Sequence, residues 1–380
     1  MKILQVIPKL GYGGAETGCY DLAHFLYEKE CKSYIITSGG QLLKYVKKNK
    51  VKIFRLPVHS KNIILMFINA LIISLIVLIY NIDIVHARSR APAWSCLWAC
   101  FLTRRKFVTT FHGTYNFSNT FKKFYNSVMV KSKLIIAGSN FIFNHINENY
   151  EKFLNPKNKL MVIFRGINLE YFDEGNITDN KKKKLISDWK LDSEKKTILL
   201  PGRLTSWKGQ DILVEALNIL IEDYNKTNFQ AVILGSDQGR KVYSKKLFSL
   251  VERYQLNQKV KFISHAKEMP VAYSVADIVV SSSIEPEAFG RIAVEAQAMK
   301  KPIVASDLGG SKETVLNEKS GILYKAGDAR ELAKVLNKLI ELDKEALYSM
   351  GNEGRKNVTK KFDVEQMCQT TFNEYKKLLK

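Results

Sequence analysis

The sequence predicts an α/β protein built from two doubly wound domains, and three observations predict it. Short apolar runs alternate with segments of helical periodicity along nearly the whole chain, as parallel strands joined by crossover helices do. The alternation is interrupted between residues 170 and 196, where apolar residues are few, and then restarts. The chain has 380 residues, above the size at which a single core stops growing. The expected organisation is a first domain over 1–170, a passage over 171–195 and a second domain over 196–362. An amphipathic helix over 363–380 closes the chain and is expected to pack back on the first domain.

Residues 2–8 form an apolar run ending at Pro8, a buried strand. A loop with Gly11, Gly13 and Gly14 follows, then apolar residues at helical spacing (Cys19, Leu22, Ala23, Leu26). Strand, glycine-rich loop and helix open a nucleotide-type fold. The loop departs from G-x-G-x-x-G, so as a dinucleotide signal it is weak. Strands are expected at 34–37 and 51–56, with a Lys-rich helix over 41–50 between them. From 62 to 82 no residue is charged, and 63–80 is apolar apart from Asn69 and Ser74. That approaches the roughly 20 residues that span a bilayer. A strand pattern at 82–87 follows directly, and a span would split the first sheet across the membrane. A buried or interface-facing helix is therefore the better expectation.

A helix over 94–102 and a strand over 106–113 come next, with His112 at the strand's carboxyl end, where open α/β sheets place ligands. A helix over 117–130, a strand over 133–140, a helix over 141–148 and a strand over 160–166 complete the first series. The second series has strands at 196–204, 231–235, 260–264, 276–283 and 302–305, with an edge element at 320–324. Its helices are expected at 210–220, 242–254, 269–274, 328–342 and 344–360.

The formal net charge of +22 is uneven, since residues 1–170 hold 24 Lys/Arg against 8 Asp/Glu, a net of +16. A basic first half suits a membrane surface, a nucleic acid or a phosphorylated acceptor, and equally a solvated Lys-rich surface. No recognition helix or base-stacking motif of the usual nucleic-acid modules occurs. The lysine run 181–184 reads as solvated. The five cysteines form neither a metal nor a disulfide pattern and fit core thiols in a reducing compartment. The first residues lack the features of a signal peptide, and there is no internal repeat.

Two constellations carry chemistry. Arg203 and Lys208 follow a strand end beside Gly202 and Gly209. A planar guanidinium and an ammonium suit a diphosphate, although exposed cations need no special role. Glu287 and Glu295 stand eight positions apart around Gly290, where a loop enters a helix. They could be an acid/base pair, grips on sugar hydroxyls, or in part a helix-dipole residue. No D-x-D occurs, so a metal bridging phosphates has no obvious home.

On GYGGAE (11–16), TFHGTY (110–115), VIFRGINLEYF (162–172), PGRLTSWKG (201–209) and EPEAFGRIAVEA (285–296), the chain resembles the retaining glycosyltransferases of family 4 over essentially its whole length. The resemblance implies a GT-B fold, two Rossmann-like domains facing across a cleft. It further implies that Arg203 and Lys208 bind the diphosphate of a nucleotide sugar and offset the charge that develops on departure. Glu295 would hold the ribose, and Glu287 would meet the donor sugar with the Phe289–Gly290 backbone. His112 would reach the sugar from the first domain, and Gly13 and Gly14 would admit the phosphates and acceptor. His112, Arg203, Lys208 and Glu287 are then the catalytic set. The leaving phosphate takes the acceptor proton, with no cofactor and no metal. The branch resembled builds lipopolysaccharide or other envelope glycans. It implies a lipid-linked or glycan acceptor and a cytoplasmic protein, peripheral on the inner face of the membrane at anionic lipid. A non-catalytic sugar-nucleotide-binding or membrane scaffold on the same fold is the alternative, against which the intact Arg203, Lys208, Glu287 and Glu295 set argues.

Overall fold

A computed structural model describes residues 1–115 and 117–380. The chain divides into two units, Met1–Gly166 with Val364–Lys380, and Ile167–Asp363. Each is a parallel sheet covered by helices, the Rossmann-like architecture that the alternation predicts.

In the first unit, β1 (Lys2–Val6), β2 (Lys32–Thr37), β3 (Val51–Arg55), β4 (Ile84–Ala87), β5 (Lys106–Phe111), β6 (Leu134–Ala137) and β7 (Lys159–Val162) pair in the order β3-β2-β1-β4-β5-β6-β7. The crossovers carry α1 (Gly14–Glu28), α2 (Ile63–Ile79), α3 (Arg90–Thr103), α4 (Thr120–Asn126) and α5 (Asn140–Tyr150). The strand order reverses between β1 and β4, whose register pairs Val6 with Ala87. The loops after these two strands therefore leave the sheet at one level, the position where such sheets hold ligands.

The first α-helix of the second unit is α6 (Asp179–Asp188), capped by the Thr178 hydroxyl, and residues 171–195 fall within this unit. Its strands are β8 (Lys196–Pro201), β9 (Phe229–Leu234), β10 (Val260–Ile263), β11 (Ile278–Ser281), β12 (Ile303–Ser306) and β13 (Gly321–Tyr324), in the order β10-β9-β8-β11-β12-β13. The helices are α7 (Gln210–Glu222), α8 (Lys241–Arg253), α9 (Met269–Ser274), α10 (Arg291–Ala298), α11 (Ser311–Thr314), α12 (Ala329–Glu341) and α13 (Lys344–Lys361). Here the reversal lies between β8 and β11.

The last helix, α14 (Val364–Leu379), belongs to the first unit. Phe372 meets Phe25 of α1 edge-on at 6.3 Å, and Glu374 pairs with Lys159 at 2.5 Å. Tyr375 is fully buried and its hydroxyl bonds to Nδ1 of His86 in β4. The other ring nitrogen of His86 bonds to the Thr110 hydroxyl at 2.7 Å. Burial first, and the Arg88 charge second, hold the His86 pKa well below its ordinary value, so the ring is neutral and uses one donor and one acceptor.

Three expectations need correction. The helix expected over 41–50 is a short 3-10 turn, Gln41–Tyr45, entered from Gly40 at φ +136°. Lys47, Lys48 and Lys50 that follow have no apolar stripe to bury. The helix expected over 117–130 starts at Thr120, where Asn119 caps it, and tightens into a 3-10 turn at Ser127–Val130. The helix expected from 94 starts earlier, at Arg90, because Pro92 is tolerated in a first turn.

The uncharged run at 63–80 becomes α2, capped by Asn62, whose side chain accepts from the Ile64 and Leu65 amides. Its 17 residues span about 25 Å at 1.5 Å per residue, short of a bilayer core. Among the described residues no helix is long and apolar enough to cross a membrane. Asn69 and Ser74 lie on the buried side. Asn69 donates to the Pro57 carbonyl at 3.3 Å and Ser74 to that of Ala70 at 2.8 Å. The apolar side chains outnumber the places available in the core, and Ile64, Phe67, Leu71, Leu75, Leu78 and Ile79 remain exposed.

Removing the Tyr375 hydroxyl leaves a buried His86 nitrogen without its partner, which costs about 1–3 kcal/mol. Tyr375→Phe should therefore speed amide exchange in β4 and α1 while the strands of the second unit keep their protection. Unchanged exchange in β4 would show that the hydroxyl does not hold α14 in place.

Candidate active site

In the second unit, β8 ends at Pro201 and leads through Gly202 and Arg203 into a 3-10 turn, Ser206–Lys208. Gly209 ends that turn at φ +63°, and a Cβ there would collide with the Ser282 carbonyl oxygen. Only glycine fits. Close approach lets the Ser282 hydroxyl donate to the Lys208 and Gly209 carbonyls at 3.1 and 2.7 Å. The Ile284 amide donates to the Trp207 carbonyl at 2.9 Å. The loop after β8 and the loop after β11 are thus laced together at the reversal in strand order.

This lacing brings Lys208 and Glu287 together. Lys208 Nζ lies 2.6 Å from Glu287 Oε1, with side-chain exposures of 10% and 12%. The Ser283 hydroxyl donates to the same oxygen at 2.6 Å, and Nζ sits 4.6 Å from the centre of the Trp207 ring. Burial pushes the Glu287 carboxyl up, but Lys208 and the Ser283 and Ser281 hydroxyls outweigh it, and the net pKa is lowered. Glu287 is therefore a charged acceptor at neutral pH and unsuited to giving up a proton. Its loop is anchored from behind. The Gly310 amide donates to the Glu287 carbonyl at 2.8 Å, and a Cβ on Gly310 would lie 2.6 Å from Phe289 Cα.

The chain then enters α10 through Gly290, at φ +81°. The Phe289 ring points into the core, edge-on to Phe362 at 5.5 Å, leaving only its backbone for a ligand. Glu295, 7% exposed, accepts from the Tyr273 hydroxyl at 2.8 Å and from Arg291 Nε. A carboxylate has about four acceptor positions, so capacity remains for hydroxyls. Burial, then Glu295, raise the Tyr273 pKa well above its usual range, and Glu287 acts on it in the same direction. The Arg203 side chain is exposed and joins no ion pair among the described residues.

In the first unit, His112 follows β5 with both ring nitrogens buried and unpartnered, and its amide donates to the Tyr115 hydroxyl at 3.3 Å. Burial, then Arg165, Arg88 and His86, lower its pKa well below the ordinary value. The ring is a neutral donor and acceptor awaiting partners. Gly13 caps α1 without a side-chain bond, and Gly14 opens the helix. Neither glycine has positive φ. Their missing side chains make room for Glu16, which lies over Gly13, and for Arg165, whose Nη2 would be 2.5 Å from a Cβ on Gly14.

Sequence reasoning missed Tyr273, Ser283, Arg88, Arg165 and the Gly309–Gly310 support. The serine run at 281–283 after an apolar strand and the Gly-Gly pair were the available signals. Nothing local marked Tyr273 or the two arginines.

Comparison with known proteins places this arrangement. Residues 12–171 match the family described as Glycosyltransferase Family 4, and residues 181–357 match Glycosyl transferases group 1. A solved glycosyltransferase from Rickettsia africae is 37% identical, with 100% of this chain and 98% of that one covered, at a TM-score of 0.91. The chain belongs to the glycosyltransferases of the GT-B superfamily. Anabaena Alr3699/HepE, solved with UDP and glucose, shares the fold at a TM-score of 0.83 and 23% identity, with 99% and 100% of the two chains covered. A D-inositol 3-phosphate glycosyltransferase of Corynebacterium urealyticum is 28% identical over 221 residues, 57% of this chain and 50% of that protein. The chain spans about half the length of the curated relatives it matches.

The Lys208–Glu287 pair yields a stability prediction. Taking away one partner strands a nearly buried charge, at a cost of about 3–5 kcal/mol. Lys208→Met should cost this much in urea unfolding at pH 7. Combined with Glu287→Gln, the loss should fall short of the sum of the two single losses by at least about 1 kcal/mol. Strict additivity would show that the two groups do not act on each other.

Proposed function

We propose that this protein transfers a glycosyl group from a nucleoside-diphosphate sugar to a hydroxyl of a lipid-linked or envelope-glycan acceptor of lipopolysaccharide type. The observation that carries the reading is the buried Lys208–Glu287 pair at the strand reversal of the second unit, with Arg203 and Glu295 on the same loops and helix. Family membership supports it. The fold shared with a protein that holds UDP and glucose puts a uridine nucleotide first among donors to test.

In this reading the diphosphate draws Lys208 from Glu287 and takes in the exposed Arg203. The released Glu287 carboxylate accepts from the donor sugar's hydroxyls, and Glu295 accepts from the ribose. His112 offers the sugar one donor and one acceptor. The bond from the anomeric carbon to the diphosphate oxygen breaks, and the acceptor oxygen bonds to that carbon on the same face. The acceptor's proton passes to the departing phosphate, so configuration is retained and Glu287 needs no proton to accept. Lys208 and Arg203 offset the leaving charge, the work a metal ion would otherwise do; no D-x-D is present to hold one.

The protein works on the inner face of the cytoplasmic membrane. Its contact is the outer face of α2 with Phe101 and Leu102 at the end of α3, all exposed. Lys61, Arg104 and Arg105 flank it, and Arg105 bonds to Asn81 just beyond α2. An apolar helix face rimmed by cations fits an anionic bilayer surface.

Three measurements follow. In a thermal-shift screen of UDP-, GDP-, ADP- and CMP-sugars, one donor should stabilise the protein, and Lys208→Ala should abolish both the shift and turnover. Glu295→Gln should mainly weaken donor binding, with turnover at saturation largely kept; a loss confined to turnover would contradict the ribose assignment. In vesicle flotation, anionic liposomes should carry the protein up, and Leu71→Asp with Leu75→Asp should leave it behind. Equal flotation with neutral vesicles would rule out the anionic surface.

A further inference from the structure

The carboxyl ends of the first sheet carry His112 and the glycine loop; its amino edge carries a groove that this chemistry does not use. The groove is open and measures about 590 Å³, within the range of small-molecule sites. α1 ends there at Glu28, and β2 and β3 start there at Lys32 and Val51. Lys32, Lys48, Lys50 and Lys52 line it together with the carboxylates of Glu28 and Glu30.

These cations are incompletely matched. Lys50 lies 3.6 Å from Glu28, whose side chain is 62% exposed, and exposed pairs of this kind are weak. Lys52 donates to the Tyr80 hydroxyl at 2.7 Å and sits 4.4 Å from that ring's centre. Lys32 and Lys48 are exposed and join no ion pair among the described residues. Lys32 also stands in register with Lys2 of β1, and neighbouring like charges work against a sheet. The carboxyl end of α1 attracts cations as about half a negative charge. Added to Glu28 and Glu30, it still leaves the four ammonium groups in excess. A solvated surface accounts for exposed lysines, but not for Ser33. This residue lines the groove, is 4% exposed, and holds its hydroxyl buried without a partner. Buried polar groups are ordinarily hydrogen-bonded, and leaving one unpaired costs stability. Beside it the Tyr27 ring is 41% exposed, with Lys50 Nζ 5.4 Å from its centre.

We infer that this groove binds a phosphate-class anion carrying an organic portion. Lys32, Lys48 and Lys50 pair with its oxygens, the Ser33 hydroxyl donates to one of them, and the Tyr27 ring lies against the organic portion. Ammonium groups act as point charges toward phosphate and need no fixed fork geometry. Ligands of the reaction belong at strand carboxyl ends, so an occupant of the amino edge is neither donor nor acceptor. It has two sources, a free phosphorylated compound or a lipid headgroup. The second arises because Lys52 ties the groove to Tyr80, directly after α2. Only the headgroup source rests on the membrane reading above; the site itself stands without it and without the glycosyltransferase reading.

The test acetylates the lysines of the full chain at constant ionic strength in chloride and reads each site by mass spectrometry, with inorganic pyrophosphate as probe. At ten times its Kd, pyrophosphate should slow acetylation of Lys32, Lys48 and Lys50 roughly tenfold, while the exposed Lys183 of α6 keeps its rate. Ser33→Ala should raise the concentration needed roughly tenfold and leave the unfolding midpoint of the free protein unchanged or higher. A hydroxyl with a merely structural role would lower the midpoint and leave the protection alone. Lys48→Gln should raise the concentration by a smaller factor. Because protection is read at these lysines, it stands whether or not a nucleotide sugar binds elsewhere in the chain. Phosphatidylglycerol vesicles, with phosphatidylcholine vesicles as control, separate the sources. Protection of the same lysines by the anionic vesicles assigns the groove to a headgroup, and protection by pyrophosphate alone assigns it to a free phosphorylated compound. Protection by neither, or protection that Ser33→Ala and Lys48→Gln leave unchanged, overturns the site.

Discussion

Every strand pairing in the two sheets is parallel among the described residues, and the placement of the chemistry depends on that constraint. Parallel neighbours cannot be joined by a tight turn, so each connection crosses a face of the sheet and buries it. All strands then deliver their carboxyl ends to one edge. Where the strand order reverses, two consecutive loops diverge to opposite faces and leave a crevice. Arg203 and Lys208 leave β8 at one such place and Glu287 leaves β11 beside it; Arg88 leaves β4 at the other. Chemistry-bearing residues far apart in sequence meet because the sheet admits few other places for them.

The interactions at these edges are costly ones. Lys208 and Glu287 are withdrawn from water, Gly209 and Gly290 adopt positive φ, and His112 buries two unpartnered nitrogens. Each works against stability, and none is needed to close a hydrophobic core. The cores themselves are ordinary. Leu213, Leu217, Phe229, Ile233 and Leu247 cluster on one side of the second sheet, and Ile3, Leu22, Leu26, Ile84 and Val108 do so in the first. Departures from local consistency concentrated at strand ends mark sites kept for function.

The fold class was legible because periodicity is local: an apolar run between helical segments means the same thing wherever it occurs. Pairing across the chain is not local. The spacing of Lys208 and Glu287 in sequence, 79 positions, carries no sign that one would neutralise the other, so they appeared as separate grips on a ligand. Arg88 and Arg165 were two cations in a basic half, distinguishable only by burial. In α2, Asn69 and Ser74 looked like interruptions of a membrane-length run. They are the residues turned inward, where the Pro57 and Ala70 carbonyls meet them, while leucines face out. Hydropathy counts polar residues without knowing which side of a helix the core occupies. The 41–50 segment misled in the opposite sense: Leu42 and Val46 are buried, but the lysines that follow offer nothing apolar to continue a helix.

The return of α14 to the first unit orders events during synthesis. On the ribosome, β1 to β7 are complete long before Phe372 and Tyr375 exist. In that interval α1 presents an open apolar groove, and His86 lacks the hydroxyl that later satisfies it. The whole of Ile167–Asp363 must emerge, with its own sheet ready to fold, before the first unit can be closed. The unit that starts first therefore finishes last, and its unfinished groove is the surface on which a nascent-chain chaperone or an aggregating neighbour would act.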